Sequence, residues 1–86
     1  MKRMLCRNKV KDFEIWKPIF DENLEGAREA GLNLENLWRS VDDPEEVFFI
    51  FTIDDLDAAN GFTSSPEAAE TGERSGVIGG DCWIVE

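Results

Sequence analysis

One segment of the chain is hydrophobic on both of its faces, and it sets the architecture that we predict. Residues 47–53 are β-branched or aromatic throughout, and acidic segments bound them on each side. Such residues favour a strand, and the run is too short for an ordinary helix. Alternation puts Val47, Phe49, Phe51 and Ile53 on one face and Phe48, Ile50 and Thr52 on the other. The pattern predicts a strand that needs a cover on each face.

Residues 3–10 alternate as well. Met4, Cys6, Asn8 and Val10 fall on one face, and Arg3, Leu5, Arg7 and Lys9 fall on the other. This predicts a first strand with one apolar and one basic face. The basic side chains must then pair with acids, reach the rim of the sheet or contact a ligand.

A long helix is predicted to follow this strand. Asp12 is a suitable N-cap, and Gly31 is a suitable end. The apolar residues between them recur at helical spacing: Phe13, Trp16, Ile19 or Phe20, Leu24 and Ala27. Pro18 removes one hydrogen bond, so the first turn is either kinked or separate from a helix that begins at Pro18.

The remaining elements are placed by turn and cap residues. Residues 34–41 predict a second strand, joined to the central one by the turn at Pro44. The sequence does not fix the register of this hairpin, so Trp38 is assigned to neither face of the sheet. Asp54 or Asp55 caps the next helix, and Ser65 with Pro66 begins a shorter helical piece that ends near Gly76. A break at residues 79–80 precedes a final strand at residues 81–86.

The order strand, helix, strand, strand, helix, strand is that of an α+β, ferredoxin-like split βαβ fold. We therefore expect one domain over residues 1–86, with an antiparallel four-stranded sheet and helices on one face. The helices of so short a chain cover only one side of the sheet. A second copy is the expected cover for the other, which predicts a homodimer through the sheet face.

Composition restricts the chemistry. The formal charge is −10, which disfavours nucleic acid and membrane surfaces as partners. Histidine is absent, which removes the commonest general base and metal ligand. The acidic clusters lack the spacing of a calcium loop, and we expect no metal and no cofactor. No signal-peptide pattern follows the basic start, so a cytoplasmic location is expected.

The two cysteines, Cys6 and Cys82, are too few for a disulfide scaffold and belong to no CxxC pair. Two buried thiols in strands are the first expectation. A bridge is conceivable if their strands are neighbours, although a reducing compartment would keep it open.

Four segments carry a resemblance to a known family: KVKDFEIWKPIFDE at residues 9–22, DDPEEV at 42–47, SSPE at 64–67 and GVIG at 76–79. In their order they resemble the dimeric α+β-barrel proteins, and more narrowly the antibiotic-biosynthesis-monooxygenase-like group. The resemblance implies two ferredoxin-like protomers packed into a barrel, each with a pocket between sheet and helices. It also implies cofactor-independent oxygenation or a cyclase-like reaction. Haem-degrading members use an asparagine, a tryptophan and a histidine, of which only Asn8 has a match by position.

The candidate site lies where the long helix covers the first strand. Asn8 and Asn23 are two amides in an otherwise aromatic space, and they either bond to each other or to backbone, or orient a ligand. They are the candidate catalytic residues. Trp16 and Phe20 are the expected pocket walls. Trp38 and Trp83 are either packing residues or part of a pocket rim.

Three functions remain open from the sequence. The first is an enzyme of the monooxygenase or cyclase kind acting on a phenolic or polyketide-like molecule. The second is a non-catalytic module that binds or senses a small apolar or aromatic ligand. The third is a structural or interaction protein with a filled core. A cavity of roughly 300 Å³ or more favours the first two.

Overall fold

A computed structural model describes all residues from Met1 to Glu86. It contains four strands and three helices: β1 (Arg3–Val10), α1 (Phe13–Glu29), β2 (Leu32–Arg39), β3 (Glu46–Ile53), α2 (Leu56–Thr63), α3 (Pro66–Ser75) and β4 (Val77–Val85). The strands form one sheet in the order β2-β3-β1-β4, with every neighbouring pair antiparallel. The predicted ferredoxin-like α+β fold is confirmed, with the second helical region divided into two pieces.

The hydrophobic strand is β3, and its two faces differ as the alternation predicts. Val47, Phe49, Phe51 and Ile53 face the helices and are between 0% and 6% exposed. Phe48, Ile50 and Thr52 face the other way and are only half-buried by their neighbours in the sheet. We call this second side of the sheet, opposite the helices, the open face.

Helix α1 is continuous from Phe13 through Pro18, so the predicted alternative of a helix that begins at Pro18 is wrong. Asp12 is the N-cap, with its side chain accepting a hydrogen bond from the Glu14 N–H at 2.9 Å. Trp16 and Ala27 are buried against the sheet. Caps at Asp55 and Ser65 begin α2 and α3, so Asp55, not Asp54, is the cap.

Two strand boundaries differ from the prediction. Strand β2 runs from Leu32 to Arg39 and stops before Val41, which is fully exposed in the following turn. A bulge between Leu34 and Asn36 changes the alternation within β2, which a period of two does not anticipate. The register pairs Trp38 with Phe48 and so places Trp38 on the open face.

Strand β4 begins at Val77 and passes through Gly79 and Gly80, where the sequence predicts a break. The reason is a close approach of β1. A Cβ atom on Gly80 would lie 2.5 Å from the Arg7 carbonyl oxygen and 2.5 Å from Asn8 Oδ1. Glycine at position 80 therefore serves the packing of β4 on β1, and does not end the strand.

This packing predicts different effects for the two glycines. We expect Gly80→Ala to lower the free energy of unfolding by about 1–3 kcal/mol, because backbone has to move to admit the methyl group. Gly79→Ala is the matched control, since no atom lies within 4 Å of a Cβ at that position. Urea unfolding of both variants at one protein concentration measures the difference. Equal stabilities would contradict the close-approach explanation.

Candidate functional site

The open face carries all three basic residues of β1, each paired with an acid. Arg3 Nε donates to Glu35 Oε1 at 3.0 Å. Arg7 donates to Asp81 Oδ2 at 3.0 Å and to Glu46 Oε2 at 3.4 Å. Lys9 pairs with Asp43. Of the three fates predicted for these side chains, pairing with acids is confirmed.

These contacts shift three pKa values. The hydrogen bond to Asp81 raises the pKa of Arg7, and Glu46 adds to the effect. The hydrogen bond to Asp43 raises the pKa of Lys9. The pKa of Asp43 is lowered, first by Lys9 and then by the Glu45 backbone N–H. All three side chains are therefore charged at neutral pH, with Arg7 paired to Asp81 and Glu46, and Lys9 paired to Asp43.

The Lys9–Asp43 pair gives a prediction on pH. Because the folded pKa of Asp43 lies below its unfolded value, the pair stabilises the fold above about pH 3.9 and the contribution is lost as pH falls through the folded value. We expect Lys9→Met to raise the pKa of Asp43 toward its ordinary value, as followed by NMR of the carboxyl carbon. Lys17→Met, which removes the partner of Asp21, is the control. An unchanged Asp43 titration in Lys9→Met would refute the pairing.

Between the sheet and the helices lies a cavity of about 200 Å³, which we call the central cavity. Its floor is formed by β1, β3 and β4, and its walls by the three helices. It is smaller than the roughly 300 Å³ given above as the size that favours an enzyme or a ligand-binding module. An apolar cavity of about 150 Å³ holds a benzene molecule, so the central cavity has room for one substituted ring and not for several fused ones.

Aromatic rings form one wall of the central cavity. Trp16 stacks on Phe20 with ring centroids 4.5 Å apart, and Phe20 lies 5.0 Å from Phe49. Phe49 in turn contacts Phe51 edge to face at 5.6 Å. Contacts of this kind fix the rings in place, so the wall is rigid and apolar.

The opposite wall owes its shape to small residues on α3. Ala68, Thr71, Gly72 and Ser75 all line the central cavity. Their spacing of three, four and seven residues is that of one helix face, and they leave space where larger side chains would fill it. This spacing is visible in the sequence, but spacing alone does not show that the helix face borders a cavity.

The polar groups of the central cavity are few and neutral. Asn8 and Asn23 line it, with Thr63, Thr71 and Ser75. No hydrogen bond within the chain reaches the amide of Asn8 or of Asn23, and both remain accessible from the cavity. The hydroxyl of Ser75 donates to the Gly72 carbonyl oxygen at 3.1 Å. No charged side chain lines the cavity, so the protein supplies hydrogen bonds there but no acid or base of ordinary strength.

The predicted site residues divide between the two faces of the sheet. Asn8, Asn23, Trp16 and Phe20 come together in the central cavity. Trp38 and Trp83 are each 50% exposed on the open face and do not line it. The side chains form no cluster of three or more groups suited to a metal ion. No helix is long and apolar enough to cross a membrane.

Cys6 and Cys82 also line the central cavity, and they form a disulfide. They are directly opposed residues of β1 and β4, with Cα atoms 4.2 Å apart. The expectation of two buried thiols is therefore wrong. Cys6 is buried, whereas Cys82 is exposed on the edge strand, and neighbouring strands bring the two sulfur atoms together.

Solved structures with the same fold support the resemblance seen in the sequence. The crystal structure of an antibiotic biosynthesis monooxygenase superposes with a TM-score of 0.72 at 18% identity, over 100% of this chain and 97% of that one. A proposed antibiotic biosynthesis monooxygenase from Bordetella bronchiseptica gives 0.77 at 12%, over 99% and 94%. An uncharacterised NIPSNAP domain protein from Burkholderia xenovorans gives 0.70 at 12%, over 100% and 93%. No protein-family model and no curated protein matches the sequence. The chain thus has the fold of the antibiotic-biosynthesis-monooxygenase-like proteins.

Proposed function

We propose that this chain, which has the fold of antibiotic-biosynthesis-monooxygenase-like structures, is a homodimeric protein that binds a small neutral aromatic molecule in its central cavity. The observation that carries the proposal is the pair of unbonded amides, Asn8 and Asn23, in a cavity lined otherwise by aromatic and small side chains. An amide exposed to a cavity without a partner is a group that a ligand can satisfy. The size of the cavity favours a single-ring phenol over a polyketide-like substrate.

The dimer is proposed from the open face. Leu5 lies between Ile50 and Trp83 across β3, β1 and β4, and Phe48 lies next to Trp38. These side chains form a contiguous apolar patch whose neighbouring charges are already paired within the protomer. A patch of this composition is unusual on a monomer and suits burial against its own copy. Two such sheets facing each other give the α+β barrel.

Binding is tested with two molecules of nearly equal shape, para-cresol and para-xylene, by calorimetric titration. A hydroxyl that meets an amide is worth about 1 kcal/mol, so we expect para-cresol to bind about fivefold more tightly. Asn8→Leu or Asn23→Leu removes an amide at similar volume and should abolish the preference while leaving para-xylene binding in place. Asn60→Leu, on the exposed surface of α2, is the control. Failure of both molecules to bind would reject the proposal.

A second candidate function is cofactor-independent oxygenation, favoured by the monooxygenases that share the fold. The cavity offers no base, so the phenolic proton of a substrate such as a dihydroxybenzene has to be lost to solvent water. The amides then donate to its phenolate oxygen while charge develops. Dihydroxybenzene and dioxygen give a hydroxybenzoquinone and water, so one oxygen atom enters the product and the substrate supplies all four electrons.

The two candidates are separated by isotope labelling. Under labelled dioxygen an oxygenase places one labelled atom in the quinone, which mass spectrometry detects. Asn8→Ala and Asn23→Ala should then lower the turnover about 100-fold while the fold is retained. Binding without labelled product would assign the chain to ligand binding or sensing. The expected cytoplasmic location is part of this proposal, and fractionation of the native cells checks it.

A further inference from the structure

The disulfide between Cys6 and Cys82 is the one redox-active group in the wall of the central cavity. It joins two neighbouring strands at directly opposed positions, which brings the sulfur atoms together without any movement of the backbone. The same residues as thiols would remain adjacent, because the β1–β4 ladder continues on both sides of them. The pair can therefore be opened and closed within an intact fold.

The two sulfur atoms have different surroundings. Cys6 lies on β1 in the middle of the sheet, between Phe49 of β3 and Cys82 of β4, and is 2% exposed. Cys82 lies on β4, which is an edge strand with no neighbour on its outer side. Gly80 is the next residue along β4 on the same face as Cys82, and it lies opposite Asn8. Because it is a glycine, it adds no side chain beside Cys82. Access to the disulfide is thus from the outer side, at Cys82.

We propose that this disulfide is a thiol-exchange site, at which a small thiol attacks Cys82 and leaves Cys6 as the buried resolving group. Thiol exchange requires the attacking sulfur to lie in line with the bond that breaks, and the outer edge of β4 provides that approach to Cys82. The corresponding approach to Cys6 passes through β3. The proposal is independent of the ligand that the cavity binds.

The reaction is balanced by the thiol itself. A thiolate forms a bond to Cys82 Sγ, the bond between the two protein sulfurs breaks, and its electron pair goes to Cys6 Sγ, which then takes a proton. A second thiolate attacks the external sulfur of the mixed disulfide and releases Cys82 as a thiolate. Two small thiols are oxidised to one disulfide, and the protein gains two thiols facing the cavity.

The first test compares the reactivity of each cysteine alone. Cys6→Ser leaves Cys82, and Cys82→Ser leaves Cys6; each variant is treated with dithiodipyridine, which is uncharged and so unaffected by the acidic surface. We expect Cys82 to react at least about 100-fold faster, because Cys6 is 2% exposed and the central cavity has no room for this two-ring reagent, so that Cys6 reacts only after local opening. In denaturant the two rates should become equal. Equal rates in the folded proteins, or a faster Cys6, would overturn the proposal.

The second test uses the oxidised wild-type protein. Brief treatment with cysteamine, whose positive charge suits the acidic chain, is stopped with acid, and tryptic peptides are analysed by mass spectrometry. Cleavage after Arg3, Arg7 and Arg74 separates residues 4–7 from residues 75–86. The cysteamine adduct is expected on the 75–86 peptide. An adduct confined to the 4–7 peptide would reject the site, and so would the absence of any exchange while the protein remains folded. The site is also rejected if oxidised glutathione fails to reform the disulfide from the two free thiols.

Discussion

Reduction of the disulfide between Cys6 and Cys82 is expected to lower the free energy of unfolding by about 4–5 kcal/mol. The bond closes a loop between residues separated by 76 positions, and closing so long a loop removes much of the entropy of the unfolded chain. A domain of this length has a total stability of only about 5–10 kcal/mol. Opening the disulfide therefore removes a large part of this stability, and the reduced protein stays folded with a smaller margin.

The measurement is urea unfolding with and without reductant, at one fixed protein concentration because a dimer's stability depends on it. The double variant Cys6→Ala with Cys82→Ala is the control, since its unfolding midpoint should not respond to reductant. Its stability should match that of the reduced wild-type protein within about 1 kcal/mol. An unchanged midpoint for the wild-type protein on reduction would show that the disulfide does not stabilise the fold.

Much of the fold follows from local signals in the sequence. The alternation in residues 47–53 and 3–10 predicts the two central strands and the faces of their side chains. Asp12, Ser65 and Gly76 mark helix boundaries through cap chemistry, and the structure places a cap at each. These features depend on residues close together in the chain, which is why they are legible before any tertiary contact is known.

The elements that differed depend on contacts between distant residues. Gly80 resembles a chain break until β1 is placed beside it, and only then does its missing side chain explain the close approach. The bulge in β2, with the hairpin register, sets the face of Trp38. The disulfide can be predicted only once the strand order is known, because 76 positions separate its two cysteines.

The candidate site was partly accessible from the sequence. Asn8, Asn23, Trp16 and Phe20 were grouped correctly because all four lie on β1 or α1, which are adjacent in the chain. The opposite wall on α3 could not be predicted in this way, because no local feature of the sequence shows that small residues on one helix face leave a cavity. The size of that cavity depends on how α1 and α3 pack together, which periodicity does not determine.

The open face gives the prediction with the largest expected effect on assembly. We expect Ile50→Glu to convert the proposed dimer into a monomer. Ile50 lies in the middle of the apolar patch, beside Leu5 and opposite Asn36. Each protomer of a twofold dimer contributes the substitution, so the lost apolar burial and the cost of burying a carboxylate both count twice. At about 2–3 kcal/mol per copy, the dissociation constant should rise by about three orders of magnitude or more.

The matched control is Ile15→Glu, which makes the same change of side chain and charge on the outer surface of α1, where Ile15 is 57% exposed. Sedimentation velocity at micromolar protein concentration should show dimers for the wild-type protein and for Ile15→Glu, and monomers for Ile50→Glu. The monomer should also be less stable, since half-buried Phe48 and Leu5 then face water. A wild-type protein that is a folded monomer at this concentration would refute the dimer. If Ile15→Glu were monomeric as well, net charge and not the open face would control association.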